Sequence, residues 1–166
     1  MAEIVRGIRI KVTLTSVIVG DDAAEQRVIA DYDQTFTDGT AADNLGNAFY
    51  DASRNLNAGA EDIDLGAGGV TDFQGADIVA NSVGLIWAEN LDTDTGDWLK
   101  LTKGTTNPMT SILEGTAPKL TIGPGGLCLL VNPADKYTAA NGSADTIGFE
   151  TADNTNYKLF IGVDNA

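Results

Sequence analysis

The chain contains no histidine, one cysteine and only ten basic residues in 166 positions. Each shortage removes a class of chemistry. Without histidine the commonest general base and the commonest transition-metal ligand are both missing, so Ser-His and Cys-His nucleophiles are excluded. With a single thiol, no zinc-binding cysteine set and no intrachain disulfide can be assembled. That thiol, Cys128, lies in the apolar run Leu127-Cys128-Leu129-Leu130-Val131, where a buried and inert side chain is expected. No apolar run approaches the roughly 20 residues that cross a bilayer. Met1–Gly7 mixes Glu with Arg, so no signal peptide is expected, and synthesis in a cytoplasm is. The scarcity of Lys and Arg beside 24 acidic residues leaves a net charge of −14. Such a surface repels phosphate backbones, and direct nucleic-acid binding is not expected.

What is present is a globular composition, 43% hydrophobic and 20% charged, of a length that suits one domain or one domain with an arm. The cations are unevenly placed. Arg6, Arg9 and Lys11 make the first dozen residues locally basic, which suggests an arm seeking an acidic partner. The plainer alternative is that Arg9 and Lys11 are the solvent face of an ordinary strand.

Period-2 alternation predicts a long strand over Ile8–Val19, with Ile8, Ile10, Val12 and Leu14 on one face and Arg9, Lys11, Thr13 and Thr15 on the other. An extended pattern resumes at Val28–Tyr32. Between Asp38 and Asn55, the spacing of Ala41, Leu45, Phe49 and Ala52 would put them on one stripe of a short helix, which Gly39 and Gly46 oppose, and an irregular connection is the alternative. Thereafter short strands alternate with turn residues: Asp62–Leu65, Asp77–Asn90, Trp98–Thr102, Lys119–Ile122, Gly126–Asn132, Tyr137–Ala139, Thr146–Glu150 and Tyr157–Val163. Asn141-Gly142 is the sharpest turn signal, and the last two strands are expected to form a terminal hairpin about Asp153–Asn156. The predicted fold is all-β, a compact antiparallel sandwich or jelly-roll-like barrel with an extended N-terminal strand or arm and at most one short helix. Residues 1–36 would be the arm and hairpin, and 37–166 the β domain.

Few residues suggest chemistry. A pair of carboxylates could serve a glycosidase-type reaction, but nothing singles out any two of the 24 acids. Asp92-Thr93-Asp94-Thr95-Gly96-Asp97 loosely follows a calcium loop, yet glycine stands where a ligand is needed and Lys103 where the closing Glu would be. Gly66-Ala67-Gly68-Gly69 and Gly123-Pro124-Gly125-Gly126 lack the Lys-Ser/Thr that follows a phosphate loop and read as turns. No catalytic residue, metal ligand or cofactor is therefore expected.

Several segments in order carry a resemblance: Asn55-Leu56, Asp62-Ile63-Asp64-Leu65, Asp72-Phe73-Gln74-Gly75-Ala76 and Gly84-Leu85-Ile86-Trp87-Ala88-Glu89-Asn90. They continue with Ile122-Gly123-Pro124-Gly125-Gly126-Leu127-Cys128-Leu129-Leu130, Ala144-Asp145-Thr146-Ile147 and Tyr157-Lys158-Leu159-Phe160-Ile161-Gly162. From about Ala30 to Val163 this succession resembles small virion structural proteins of tailed bacteriophages. These include capsid decoration (cement) proteins and head-fibre or tail components with jelly-roll-like domains. The resemblance implies a non-enzymatic protein of the virion exterior, a trimer or dimer, whose partner is the major capsid protein. The arm falls outside it. The interface residues expected from position and charge are Ile8, Arg9, Ile10, Lys11 and Val12, whose strand could add to a neighbour's sheet. Deleting residues 1–12 would then abolish attachment and leave the β domain folded. A receptor- or glycan-binding knob is the alternative, with Trp98 beside Asp97 or Trp87 beside Glu89 as the sugar platform. For both tryptophans a core position is the stronger expectation.

Overall fold

The structure is a computed structural model that describes residues 7–19, 25–37, 44–66, 68–72 and 74–165. The described residues form nine strands and no helix: β1 (Ile8–Val19), β2 (Glu25–Phe36), β3 (Asn47–Asp64), β4 (Ala80–Asn90), β5 (Leu99–Thr102), β6 (Lys119–Ile122), β7 (Leu127–Val131), β8 (Tyr137–Thr138) and β9 (Thr146–Asn165). All strand pairings are antiparallel. The main sheet has the order β6-β5-β9-β4-β7, with β3 along the other edge of β9 and β8 beside β4. It curls into a half-barrel, and β1 and β2 make a separate two-stranded sheet. The expected all-β class is observed.

Two expectations are corrected. The helix proposed for Asp38–Asn55 is absent where the chain is described: Asn47–Asp64 is a strand, and 38–43 lie outside the described residues. The terminal hairpin is also absent, because Thr146–Asn165 is one strand of 20 residues. The turn chemistry at its middle is real but produces a bulge. Thr151 Oγ1 and Thr155 Oγ1 lie 2.7 Å apart, and the Asp153 amide donates to Thr151 Oγ1 at 3.3 Å, so the chain loops outward over 152–154. It then resumes its direction, because β3 pairs with both halves, from Ile63↔Ile147 to Asn47↔Val163. Strand β3 carries an opposite bulge between Asp51 and Arg54.

The concave face of the main sheet encloses the core: Phe49, Leu56 and Ile63 of β3, Val83, Ile86 and Ala88 of β4, and Ile147, Phe149, Tyr157, Leu159, Ile161 and Val163 of β9. Loop residues Leu65, Ile78 and Met109 close it. The 103–118 loop is held down by Asp62, whose carboxylate accepts the Thr105 amide at 2.9 Å, the Thr105 hydroxyl at 2.6 Å and the Thr106 amide at 3.0 Å.

The convex face carries a second apolar cluster. Leu85, Leu129, Val131 and Phe160 meet Ile8, Ile10, Val12 and Phe36 of the β1–β2 ribbon together with Leu45. Two glycines open the socket for this docking. A methyl at Gly162 would lie 2.6 Å from Leu45 Cδ1, and one at Gly84 2.9 Å from Leu45 Cδ2. Leu45 is buried in this cluster, so moving its side chain disturbs the packing around it. Gly162→Ala is therefore expected to cost about 1–3 kcal/mol by overpacking, and Leu45→Ala about 2–5 kcal/mol by cavity formation. Urea unfolding of both variants and of their combination checks the contact: the double variant should lose clearly less than the two separate losses together. Additive losses would mean that Gly162 and Leu45 do not share the socket.

Candidate functional site

Where the base of β1 crosses the convex face, a groove of about 400 Å³ opens between the two sheets. Its floor comes from outward-facing positions of three neighbouring strands. Trp87 of β4 pairs in register with Phe160 of β9, and Phe160 with Tyr50 of β3. Tyr50 is 56% exposed, and its ring lies 6.3 Å from that of Phe160 at 51°. Leu85, Glu89 and Lys158 complete the floor, and Ile8, Arg9, Ile10 and Lys11 form the wall. A smaller hollow lies further along the ribbon between Val12, Tyr32, Leu129 and Val131.

The groove is cationic on a strongly anionic protein. It gathers Arg9, Lys11 and Lys158 with Glu89 as its one carboxylate. Lys158 Nζ donates to Glu89 Oε2 at 2.9 Å, and that carboxylate holds the ammonium above its ordinary pKa. Arg9 Nε donates to Asp33 Oδ1 at 2.9 Å across the ribbon, which lowers the Asp33 carboxyl, assisted by the charge of Lys11. Lys11 forms no salt bridge among the described residues. Exposed pairs of this kind add little stability, so Arg9 and Lys11 are available to a partner at little cost to the fold.

The structure places the five expected interface residues as follows. Ile10 is buried, Ile8 and Val12 are half-buried against the convex face, and Arg9 and Lys11 are exposed. Among the described residues β1 pairs only with β2, which leaves its other edge open. The apolar half of the set is thus occupied by the protein's own sheet. Removing residues 1–12 would uncover Leu85, Leu129 and Phe160, so the deletion cannot separate attachment from folding.

Neither tryptophan joins the core, contrary to expectation. Trp87 floors the groove, and Trp98 is 46% exposed over Gly123. Of the two sugar-platform pairs, Trp87 with Glu89 falls in the groove. Trp98 instead adjoins the acidic turn, where desolvation and then Asp92, Asp153 and Asp94 raise the Asp97 carboxyl. Asp92 is already engaged there, accepting the Asn156 amide at 2.6 Å. Among the described residues, no three Asp, Glu, His or Cys side chains are grouped to hold a metal. Cys128 is buried, and burial pushes its thiol pKa up. Sequence reasoning missed Tyr50 and Phe160. The signal for Phe160 was present, as an apolar residue out of phase with the inward stripe.

No protein-family model matches the chain, and no curated protein matches it.

Trp87 Nε1 is buried and has no hydrogen-bond partner among the described residues. Trp87→Phe removes that unsatisfied donor and keeps an aromatic floor, so it is expected to change stability by less than about 1 kcal/mol. Trp87→Ala should cost about 3 kcal/mol. Equal losses in urea unfolding would show that the indole N–H has an acceptor.

Proposed function

We propose that the protein is a non-enzymatic virion structural protein of a tailed phage. In this reading it is a decoration (cement) protein on the capsid exterior that bridges subunits of the major capsid protein and works as a trimer or dimer. The observation that carries this reading is the open edge of β1. It runs for 12 residues, about 40 Å at roughly 3.3 Å per residue. Its basic start, Arg9 and Lys11, is followed by eight uncharged residues, Val12–Val19. The eight uncharged residues make this edge a template for another strand, and the basic start favours an acidic partner. Binding only the expanded shell would stabilise that state by mass action, and many equivalent weak contacts would add through multivalency. The resemblance supports the virion setting, and a groove with one carboxylate gives no two-acid hydrolysis.

A second reading, a head-fibre or tail component with a receptor- or glycan-binding knob, is favoured by the Tyr50, Trp87 and Phe160 floor beside Glu89. Sugars stack on such faces.

Co-sedimentation with expanded heads stripped of the protein, and with unexpanded proheads, separates the two. Saturable binding at many copies per expanded head is expected, weakened about tenfold or more by Arg9→Glu with Lys11→Glu. These reversals set like charges against Asp33 and should lower the urea midpoint somewhat, so Arg9→Gln with Lys11→Gln, expected to keep the parent's midpoint and still weaken binding, serves as the folding control. Binding at only a few copies, or none, would overturn the cement reading and favour the fibre or tail.

A further inference from the structure

We infer that Asp64, Asn141 and Asp145 hold a calcium ion beside Gly66, at the end of the core away from the groove residues. Two segments distant in sequence converge there: the end of β3 and the 140–145 turn that leads into β9. Measured from the place a methyl would occupy on Gly66, Asn141 Oδ1 and Asp145 Oδ2 are each 2.7 Å away and Asp64 Oδ1 is 3.0 Å away. Any side chain at position 66 would displace all three oxygens, and the glycine lets them close around one point of the backbone.

The turn that presents two of them is fixed by its backbone. Ala140 and Ala144 exchange amide–carbonyl bonds of 2.9 and 2.8 Å. Gly142 sits at φ 75°, a conformation that costs a side-chain-bearing residue energy. The Gly142 amide donates to Asp145 Oδ2, the Gly66 amide donates to Asp64 Oδ1 at 2.7 Å, and the Leu65 amide donates to the Asp145 carbonyl at 2.8 Å. Donated amides therefore hold both carboxylates in position.

An independent observation points to a ligand. Asp145 is 3% exposed, and its Oδ1 is buried with no hydrogen-bond partner among the described residues. A buried carboxylate oxygen left without a donor is costly, the more so with a second carboxylate beside it. No salt bridge among the described residues involves Asp64 or Asp145. A cation bound through both oxygens of Asp145 would supply the partner that Oδ1 lacks, since Oδ2 is the oxygen beside Gly66. Three oxygen side chains, two of them charged, suit a hard ion of flexible coordination, with water filling the remaining positions of calcium's roughly six to eight. Exposed Asn141 leaves the ion a way in. So few protein ligands place the affinity in the weak range, about 10⁻⁴–10⁻³ M.

The test uses the full chain, stripped with EDTA and dialysed, then titrated with CaCl2 by calorimetry and melted with and without about 10 mM CaCl2. One saturable site and a rise in Tm of about 5 °C are expected, with a smaller rise in MgCl2. Asp145→Asn, which keeps an acceptor for the Gly142 amide, should abolish both signals, and Asp64→Asn and Asn141→Ala should weaken them. The last two change half-buried and exposed positions and keep the test informative if Asp145→Asn does not fold. No heat and no shift in the parent protein would overturn the site and leave the orphan oxygen to water. An equal shift in every variant would also overturn it, since that reports general screening of the acidic surface.

Discussion

Because β9 runs for 20 residues with β3 along one edge and β5 then β4 along the other, its alternation has to stay in phase from Ile147 to Val163. A slip of one residue would turn the whole buried set to solvent. The stripe Ile147, Phe149, Tyr157, Leu159, Ile161 and Val163 is entirely inaccessible, and each such side chain contributes about 1.5–3 kcal/mol by burial. Phase survives the outward loop at 152–154 because β3 carries its own extra residue at 52–53. The two bulges cancel, and Asn47↔Val163 and Asp64↔Thr146 belong to one register. The same alternation sends Lys158, Phe160 and Gly162 to the convex face, where the ribbon docks and the groove forms.

The bulges need their own polar support. At the β9 bulge two buried threonines satisfy one another. At the β3 bulge Asp51 accepts the Ser53 amide at 3.1 Å, and Arg54, over the Phe49 ring, donates to Glu61 at 2.7 Å. Glu61 also accepts the hydroxyl of Tyr157, the largest fully buried side chain. Burial and then Glu61 raise the Tyr157 phenol, which stays a neutral donor. Arg54 would lose affinity for its proton through burial, but Glu61 together with the Tyr157 oxygen more than offsets this. Losing one partner would leave a half-buried charge without compensation, a far larger cost than losing a surface pair. The node thus fixes the β3 kink against the central strand.

Local pattern was enough where neighbours in sequence decide the structure. Ile8–Val19 and Lys119–Ile122 have the bounds that alternation and turn residues predict. It failed where a distant strand decides. Leu45 and Phe49 share a helical spacing, yet Leu45 packs on the convex cluster and Phe49 in the concave core. The Asp153–Asn156 turn signal describes a true excursion, but β3 holds the chain on course. The groove was illegible for a related reason: Tyr50, Trp87 and Phe160 come from three strands, and their wall is a ribbon separated from them in sequence. The cluster at Gly66 likewise needs the 140–144 turn to fold back onto the end of β3.

Unpaired edges pose the remaining problem. Among the described residues β3 pairs only with β9, and its edge is guarded by its bulge between Asp51 and Arg54 and by Asp51, Arg54, Glu61, Asp62 and Asp64, devices that discourage strand addition. In the ribbon, β2 carries Glu25, Arg27, Asp31 and Asp33, whereas Val12–Val19 of β1 carries no charge. A segment rich in β-branched residues, without charge or proline, has the composition of a strand that associates with its own kind. A net charge of −14 opposes that association in the free protein through repulsion between copies, though only over a Debye length of roughly 8–10 Å at physiological salt. Charge of that range slows approach and does not remove the edge. The edge therefore persists as a strong local attraction beneath a weak global repulsion. In the proposed role such a balance opposes open-ended association through the edge, while a closed dimer or trimer, or a surface that orders the strand, can still take it up.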